Sequence, residues 1–486
     1  MHDGDPIARH VARRRAPSQA PAVTVERALI ELSVRLPSDA VIVDRDLRES
    51  YARDASEAEP VLPRAVVRAR TTAEVSAALE IAHARGVPVT VRAAGTGKTG
   101  GAVPCEGGIV LALECFDRID DVDHDDLVAV VSPGAITGRV HEAIEREGLF
   151  YGPDPNSLAS CTIGGNVATN AGGPRAMKYG VTRDWVRGLE VVLADGTVLA
   201  LGGRTHKSAT GYDLKSLIVG SEGTLAVVTR ATLRVVPKPA GLRTLIAFVD
   251  DEARIAPALR ACLAARVTPR CAELLDAETL AVLREEGTTP IPSGARALLL
   301  IELDGDDDGL DRDLARLGEA LDQAGVLEIL VAKHSGDRER LWAVRREMSH
   351  ALRRRAANKL SEDVVVPRGK LGELLLRCRA IGEARRVRMP AYGHAGDGNL
   401  HVNFLWDDPS ERARVDAAIE DLFRAVVGMG GTLSGEHGVG LLKAPYLSLE
   451  QPPALIDLQR RIKRELDPRG ILNPGKIFAP PSHAAC

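Results

Sequence analysis

Little of this chain is aromatic. Three Trp, six Tyr and six Phe make up 3% of 486 residues, too few for the stacking platforms on which single-stranded nucleic acids lie. An excess of one charge is also lacking. Sixty-three Lys and Arg stand against 67 Asp and Glu, a formal net charge of −4, so nothing marks a general binder of nucleic acid or membrane surface. The seven cysteines, Cys105, Cys115, Cys161, Cys262, Cys271, Cys378 and Cys486, form no C-x-x-C pair, which excludes zinc knuckles and iron–sulfur runs and reads as reduced cytosolic thiols. No apolar run is long enough to span a bilayer. The N-terminal M-H-D-G-D-P-I-A-R-H lacks the apolar stretch of a secretory signal, and Asp3 and Asp5 suit a transit peptide poorly. The expected location is cytoplasmic, or peripheral at the membrane through a partner, with a flexible tail up to about Val23.

What is present is ordinary globular composition, 45% hydrophobic and 27% charged, on a chain long enough for two or three domains. Its 46 glycines gather in loops. P-R-A-V-V-R-A-R reads as a strand, Thr71 to Glu74 opens a helix that Gly86 ends, and V-P-V-T-V-R is a second strand. The loop Gly95-Thr96-Gly97-Lys98-Thr99-Gly100-Gly101 follows. It imitates G-x-G-x-x-G, with Glu114 in the place of a ribose acid, and Gly97-Lys98-Thr99 imitates a P-loop. Neither holds, because Pro104 and Gly107-Gly108 forbid the helix that both motifs require, and Arg92 stands where a P-loop has its first glycine. A glycine loop between two strands remains, whose amides can wrap a pyrophosphate.

Tyr151 to Gly173 is a second small-residue stretch, with Gly164, Gly165, Gly172 and Gly173 around Asn166 and Asn170; its composition predicts neither a regular helix nor core packing, but a surface against something flat. A hairpin about Asp195-Gly196 and a third glycine loop at Gly220 to Gly223 follow. Three such loops point to an extended cofactor site. Beyond Pro237-Lys238-Pro239, strands and helices alternate as β-α-β-α-β, an antiparallel α+β cap, with Asp304 to Asp308 expected as a solvated loop.

The most chemical stretch is Y-G-H-A-G-D-G-N-L-H-V-N, Tyr392 to Asn403, read with S-G-E-H-G-V-G, Ser434 to Gly440. Ala-Gly-Asp-Gly is turn chemistry, predicting a hairpin with His394 opposite Asn399 and His401 facing the same way. His394, His401 and Glu436 then have the His2-carboxylate composition of a catalytic metal site with an open position, and His437 stands beside it, free to take a proton. Structural histidines in ordinary turns are the plain alternative. In the helix from Asp337 to about Arg355, Arg345 and Ser349 lie one turn apart beside the stripe Leu341, Val344, Met348 and Leu352. An inward guanidinium needs an anion; snorkelling at the edge of the stripe fits the spacing equally well.

R-A-A-G-T-G-K-T-G-G-A-V-P, P-D-P-N-S with C-T-I-G-G-N-V-A-T-N-A-G-G, V-G-S-E-G-T-L, G-H-A-G-D-G-N-L-H-V-N, S-G-E-H-G-V-G and L-N-P-G-K-I-F together resemble the flavoenzymes of the vanillyl-alcohol oxidase and p-cresol methylhydroxylase type, over about Pro63 to Phe478. The branch is that of D-lactate dehydrogenase, the FAD-linked subunit of glycolate oxidase and D-2-hydroxyglutarate dehydrogenase. The resemblance implies an α+β chain: a tail and helical lead-in over 1–58, a two-part FAD-binding domain over 59–238, an antiparallel-sheet substrate cap over 239–464, and a C-terminal segment, 465–486, returning to the flavin. It implies FAD on Arg92, Gly95 to Gly101, Pro153, Asp154, Ser157, Thr162, Gly164, Gly165, Asn166, Ala168, Asn170, Glu222 and Asn473. The FAD is expected to be non-covalent, since no His stands in the first loop; Lys98-Thr99 departs from the branch's apolar-serine pair. Arg345 resembles the clamp on the substrate carboxylate, Ser349 a neighbouring substrate contact, and Asn403 is placed to hydrogen-bond substrate.

The reaction so implied oxidises a D-2-hydroxy acid to the 2-oxo acid, with hydride transfer to flavin N5 and His437 as base. The metal is a divalent ion, zinc first, with manganese or iron also fitting. D-Lactate is the favoured substrate, with glycolate or D-2-hydroxyglutarate the alternatives. Electrons leave to a quinone, a cytochrome, an electron-transfer flavoprotein or an iron–sulfur subunit, and a homodimer stays open. A zinc-dependent hydrolase shares the ligand set but has no use for the glycine loops.

Overall fold

Short β-branched runs build three large sheets, beside a two-stranded one that pairs Leu149–Phe150 with Val236–Pro237. The computed structural model describes residues 22–287 and 290–479; all but the last residues of the expected N-terminal tail, and the end of the C-terminal segment, lie outside these. The first sheet has four strands in the order Val41–Ile42, Val66–Arg68, Ile109–Ala112, Val89–Arg92, the last three parallel. Helix Thr72–Arg85 crosses over between two of them. Thr71 caps it by accepting from the Glu74 amide, and Gly86 closes it at φ 64°. Between Val89–Arg92 and Ile109–Ala112 the chain passes with no helix, as the proline and glycines require.

The second sheet is antiparallel, five strands in the order Ile119–Asp123, Val128–Val131, Val227–Arg234, Val186–Val192, Val198–Gly202. The chain end returns to the first sheet: Asn473 accepts from the Val91 amide at 2.8 Å and donates to the Glu222 carbonyl at 2.5 Å.

The third sheet has seven antiparallel strands: Glu328–Val331, Gly241–Val249, Ala297–Gly305, Cys271–Leu275, Ala391–His394, Asn399–Trp406, Asn358–Val365. Both faces are covered. Leu245, Ala247 and Val249 pack with helices Ile255–Ala264, Asp307–Gln323, Leu371–Arg385 and Arg412–Gly428, while Ile246 and Phe248 pack with Ala277–Glu286 and Ser335–Arg353. Two-sided burial is why these strands read as continuous apolar runs instead of alternating ones.

Three expectations are corrected. Ile163–Thr169 is an α-helix despite its paired glycines: Thr162 accepts from the Gly165 amide, and Gly164 sits so close to Pro133 that an added Cβ would stand 2.7 Å from the proline's own. The β-α-β-α-β reading omitted the strand Cys271–Leu275 and the helix Ala277–Glu286. Asp304 is no solvated loop residue; it lies within the buried strand Ala297–Gly305, held by Lys178, by the Tyr179 hydroxyl at 2.7 Å and by Arg270 at 3.7 Å. Among the described residues no helix is long and apolar enough to cross a membrane.

Candidate active site

A cavity of about 590 Å³ lies between the glycine loops and the third sheet. Gly95, Thr96, Gly97, Lys98, Thr99, Gly101, Ser157, Thr162, Gly164, Gly165, Asn166, Ala168, Glu222 and Asn473 line one side. Arg345, Ser349, His401, Glu436 and His437 line the other. At Gly97 and Gly165 an added Cβ would meet nothing nearer than 3.6 Å, so this wall is open, small-residued backbone, which suits a long flat dinucleotide.

Five expected cofactor residues brace that wall without lining it. Arg92 donates to the Arg53 carbonyl at 2.7 Å, and its guanidinium fills the space a Gly95 side chain would take, Gly95 itself having φ 72°. Gly100 packs on Leu441 and Ala58. The Pro153 carbonyl bonds the His141 ring at 2.8 Å. Asp154 pairs with Arg175 at 3.0 Å, though burial lifts its carboxyl to about 6. Asn170 caps a helix at φ 54° and accepts from the Arg183 amide.

On the third sheet, register does the assembling. Tyr392 pairs with His401 and His394 with Asn399, as the turn predicts, and the flanking strands set Glu273 against His394 and Asp363 against His401. Directly paired residues share a face, so two acids and two imidazoles stand together in the interior. Glu436 arrives from the loop beyond helix Arg412–Gly428, its Oε1 3.5 Å from His394 Nε2 and 3.7 Å from His401 Nε2. Ligand atoms of His394, His401 and Glu436 lie within 4.8 Å of one another, and both Nε2 atoms are buried with no hydrogen-bond partner among the described residues. Nitrogen and carboxylate donors converging without hydrogen bonds fit a divalent ion.

Sequence reading missed two acids here. Glu273 is wholly buried: one oxygen lies 2.7 Å from His394 Nδ1, the other accepts from Arg345 Nε at 2.7 Å. Asp363 Oδ2 accepts from three successive amides, Gly435, Glu436 and His437, at 2.9, 2.8 and 2.9 Å, and so shapes the loop bearing the third candidate ligand. Glu222 does likewise one turn on, accepting from Val439 and Gly440. No local pattern announces Glu273 or Asp363, since their partners lie far along the chain.

The fields follow. Burial opposes charge on Asp363, yet His437, Lys443 and His401 hold its carboxyl well below the usual range. Burial would lower His394 too, but Glu273 and Glu436 outweigh it and raise the imidazole. His401 is pushed down to about 3 by burial and then by His394. Burial also lowers His437, keeping it neutral and able to accept a proton. Its ring stacks on His401 at 5.4 Å.

Arg345 is an inward, 3% exposed side chain, not a snorkelling one. Its guanidinium lies over the Tyr392 ring at 4.7 Å, and its Nη2 has no partner among the described residues. Ser349 accepts from Lys359 Nζ at 3.1 Å, a lysine that also lines the cavity and was not anticipated. Asn403 is not brought to the cavity: its amide donates to the Pro390 and His401 carbonyls inside the sheet.

Two family models match the chain, FAD linked oxidases, C-terminal domain, over residues 238–477 and FAD binding domain over 63–202. It is 40% identical over 431 residues to the glycolate oxidase subunit GlcD of Bacillus subtilis, 88% of this chain and 92% of that protein. Identity to a D-lactate dehydrogenase of Archaeoglobus fulgidus is 36% over 424 residues, 86% and 93% of the two chains. A D-2-hydroxyglutarate dehydrogenase of Stutzerimonas stutzeri is 32% identical over 458 residues, 92% and 98%. The solved p-cresol methylhydroxylase with substrate bound has a TM-score of 0.80 over 96% of this chain and 99% of its own at 19% identity, a likeness of fold.

Proposed function

The chain belongs to the FAD-linked oxidases, and from that premise we propose that it is an FAD- and metal-dependent dehydrogenase oxidising a D-2-hydroxy acid, D-lactate first, to the 2-oxo acid. Residues 59–238 hold FAD non-covalently and residues 239–464 the substrate. One observation carries the reading: the cavity walled by glycine loops is also lined by the inward Arg345 and by the converging His401 and Glu436.

Bound FAD supplies the hydride acceptor. An ion held by His394, His401 and Glu436, zinc first, would supply polarisation of the hydroxyl. Arg345 binds the carboxylate through its guanidinium, with its plane fixed by Tyr392 and Glu273. His437, neutral through burial, takes the hydroxyl proton on an imidazole nitrogen. Gly97 and Gly165 leave open space on the flavin side. Likeness to a glycolate oxidase subunit favours glycolate as the second reading; either way the electrons pass on to a quinone, cytochrome, electron-transfer flavoprotein or iron–sulfur partner.

The test is an anaerobic absorbance spectrum before and after adding D-lactate, L-lactate, glycolate or D-2-hydroxyglutarate. Bleaching of the flavin by D-lactate supports the first reading, and bleaching by glycolate alone the second. A flavin that no acid bleaches overturns both.

A further inference from the structure

We propose that Glu273 is a positioning residue that ties the metal ligand His394 to the carboxylate clamp Arg345, so that metal and substrate are aligned through one side chain. This rests on the metal-site reading above. Strand pairing sets Glu273 directly beside His394. Its Oε1 lies 2.7 Å from Nδ1 and its Oε2 2.7 Å from Arg345 Nε. A carboxylate only accepts, so the first contact keeps a proton on Nδ1 and leaves Nε2 as the nitrogen that faces Glu436 Oε1 across 3.5 Å. A proton or a metal ion between them satisfies both, and only the metal ion uses the Nε2 lone pair as a ligand. The second contact occupies Nε of the guanidinium, whose face rests on Tyr392; the Nη end of a residue that lines the cavity is what remains for an incoming anion. Both partners are buried, at 2% and 3% exposure, so neither has water to replace the carboxylate.

Glu273→Gln breaks this while nearly preserving shape. An amide offers one acceptor and one donor. If its oxygen stays on Arg345, its N–H faces Nδ1, the ring proton moves to Nε2, and a ligand nitrogen is lost; if it stays on His394, the NH2 opposes Arg345 Nε–H. Zn²⁺ is titrated into metal-stripped, FAD-replete parent and E273Q protein, followed by KM and kcat at saturating Zn²⁺. The expected result is a Zn²⁺ dissociation constant raised roughly tenfold to a hundredfold, a higher KM with kcat kept within a few-fold, and undiminished flavin content. A merely structural ion pair would lower thermal stability without that pattern, and Zn²⁺ affinity and KM within about twofold of the parent would overturn the proposal. Parent protein that takes up no Zn²⁺ would sink the metal reading itself, a distinct failure. Should E273Q not fold, E273D, one methylene too short to span both partners, faces the same two outcomes.

Discussion

The two walls of the cavity are made differently. On the flavin side the surface is mostly backbone and small residues, set by Gly95, Gly97, Gly164 and Gly165. On the opposite side it is polar side chains, Arg345, His401, Glu436 and His437, braced by the buried Glu273, Asp363 and His394. A backbone wall spreads recognition over many weak contacts, so single changes there should cost little each. A wall of buried, mutually paired charges concentrates the chemistry, so single changes should cost much. The sharpest trial of this contrast is His437→Ala. Loss of a general base is expected to slow flavin reduction by roughly 10²–10⁴-fold while FAD content is unchanged, measured by anaerobic stopped-flow absorbance. A normal reduction rate would remove His437 from the reaction.

Asp363→Asn comes next. One oxygen receives three amides, and the other accepts from Asn399. The variant loses the charge those amides complement and turns an NH2 toward the Asn399 NH2. A stability loss of about 2–3 kcal/mol is expected, read as a lower denaturation midpoint, together with weakened metal retention because the Glu436 loop loosens. If the loop were held chiefly by Glu222, neither reading would move.

The backbone wall is tested by Gly95→Ala. At φ 72°, with the Arg92 guanidinium 2.1 Å from where a Cβ would go, the substitution costs about 1–2 kcal/mol of strain. It is expected to weaken FAD binding about tenfold while leaving kcat of the FAD-saturated enzyme near normal. A fall in kcat equal to that of His437→Ala would erase the distinction between the walls.

The same contrast governs what the sequence could reveal. Glycine loops are local: Pro104 and Gly107-Gly108 alone exclude a Rossmann turn, and the structure runs from strand to strand without a helix. The hairpin register follows from turn length and period, and His394 does face Asn399. Glu273 and Asp363 were illegible because their partners lie 121, 72 and more residues away, and because C-A-E-L-L, buried on both faces, carries no alternation. Asp304 looked solvated among neighbouring acids, while its cation and hydroxyl lie on the flavin side of the molecule, at Lys178 and Tyr179. The Ile163–Thr169 helix shows the converse, a weak propensity overridden by a Thr cap and by close packing on Pro133.

Lys359 offers the gentlest test, because it stands in the side-chain wall without being locked in a charge pair. Its amine donates to Ser349 Oγ at 3.1 Å, and burial, with Lys98 and Arg353 nearby, lowers it to about 8. The shift is downward for a cation, so the amine is charged below that value and neutral above it, whereas a 2-hydroxy carboxylate is anionic throughout. Attraction is therefore present at neutral pH and lost as pH rises through about 8. A pair of charges about 4 Å apart with water access is worth of order 1 kcal/mol, so KM should climb about fivefold across that range with kcat little altered by this group. Lys359→Met should show the higher KM at every pH and a flat profile. A parent KM that is flat through the same range would place the substrate's charge beyond the reach of Lys359, leaving Arg345 as the charged side chain that selects for an acid.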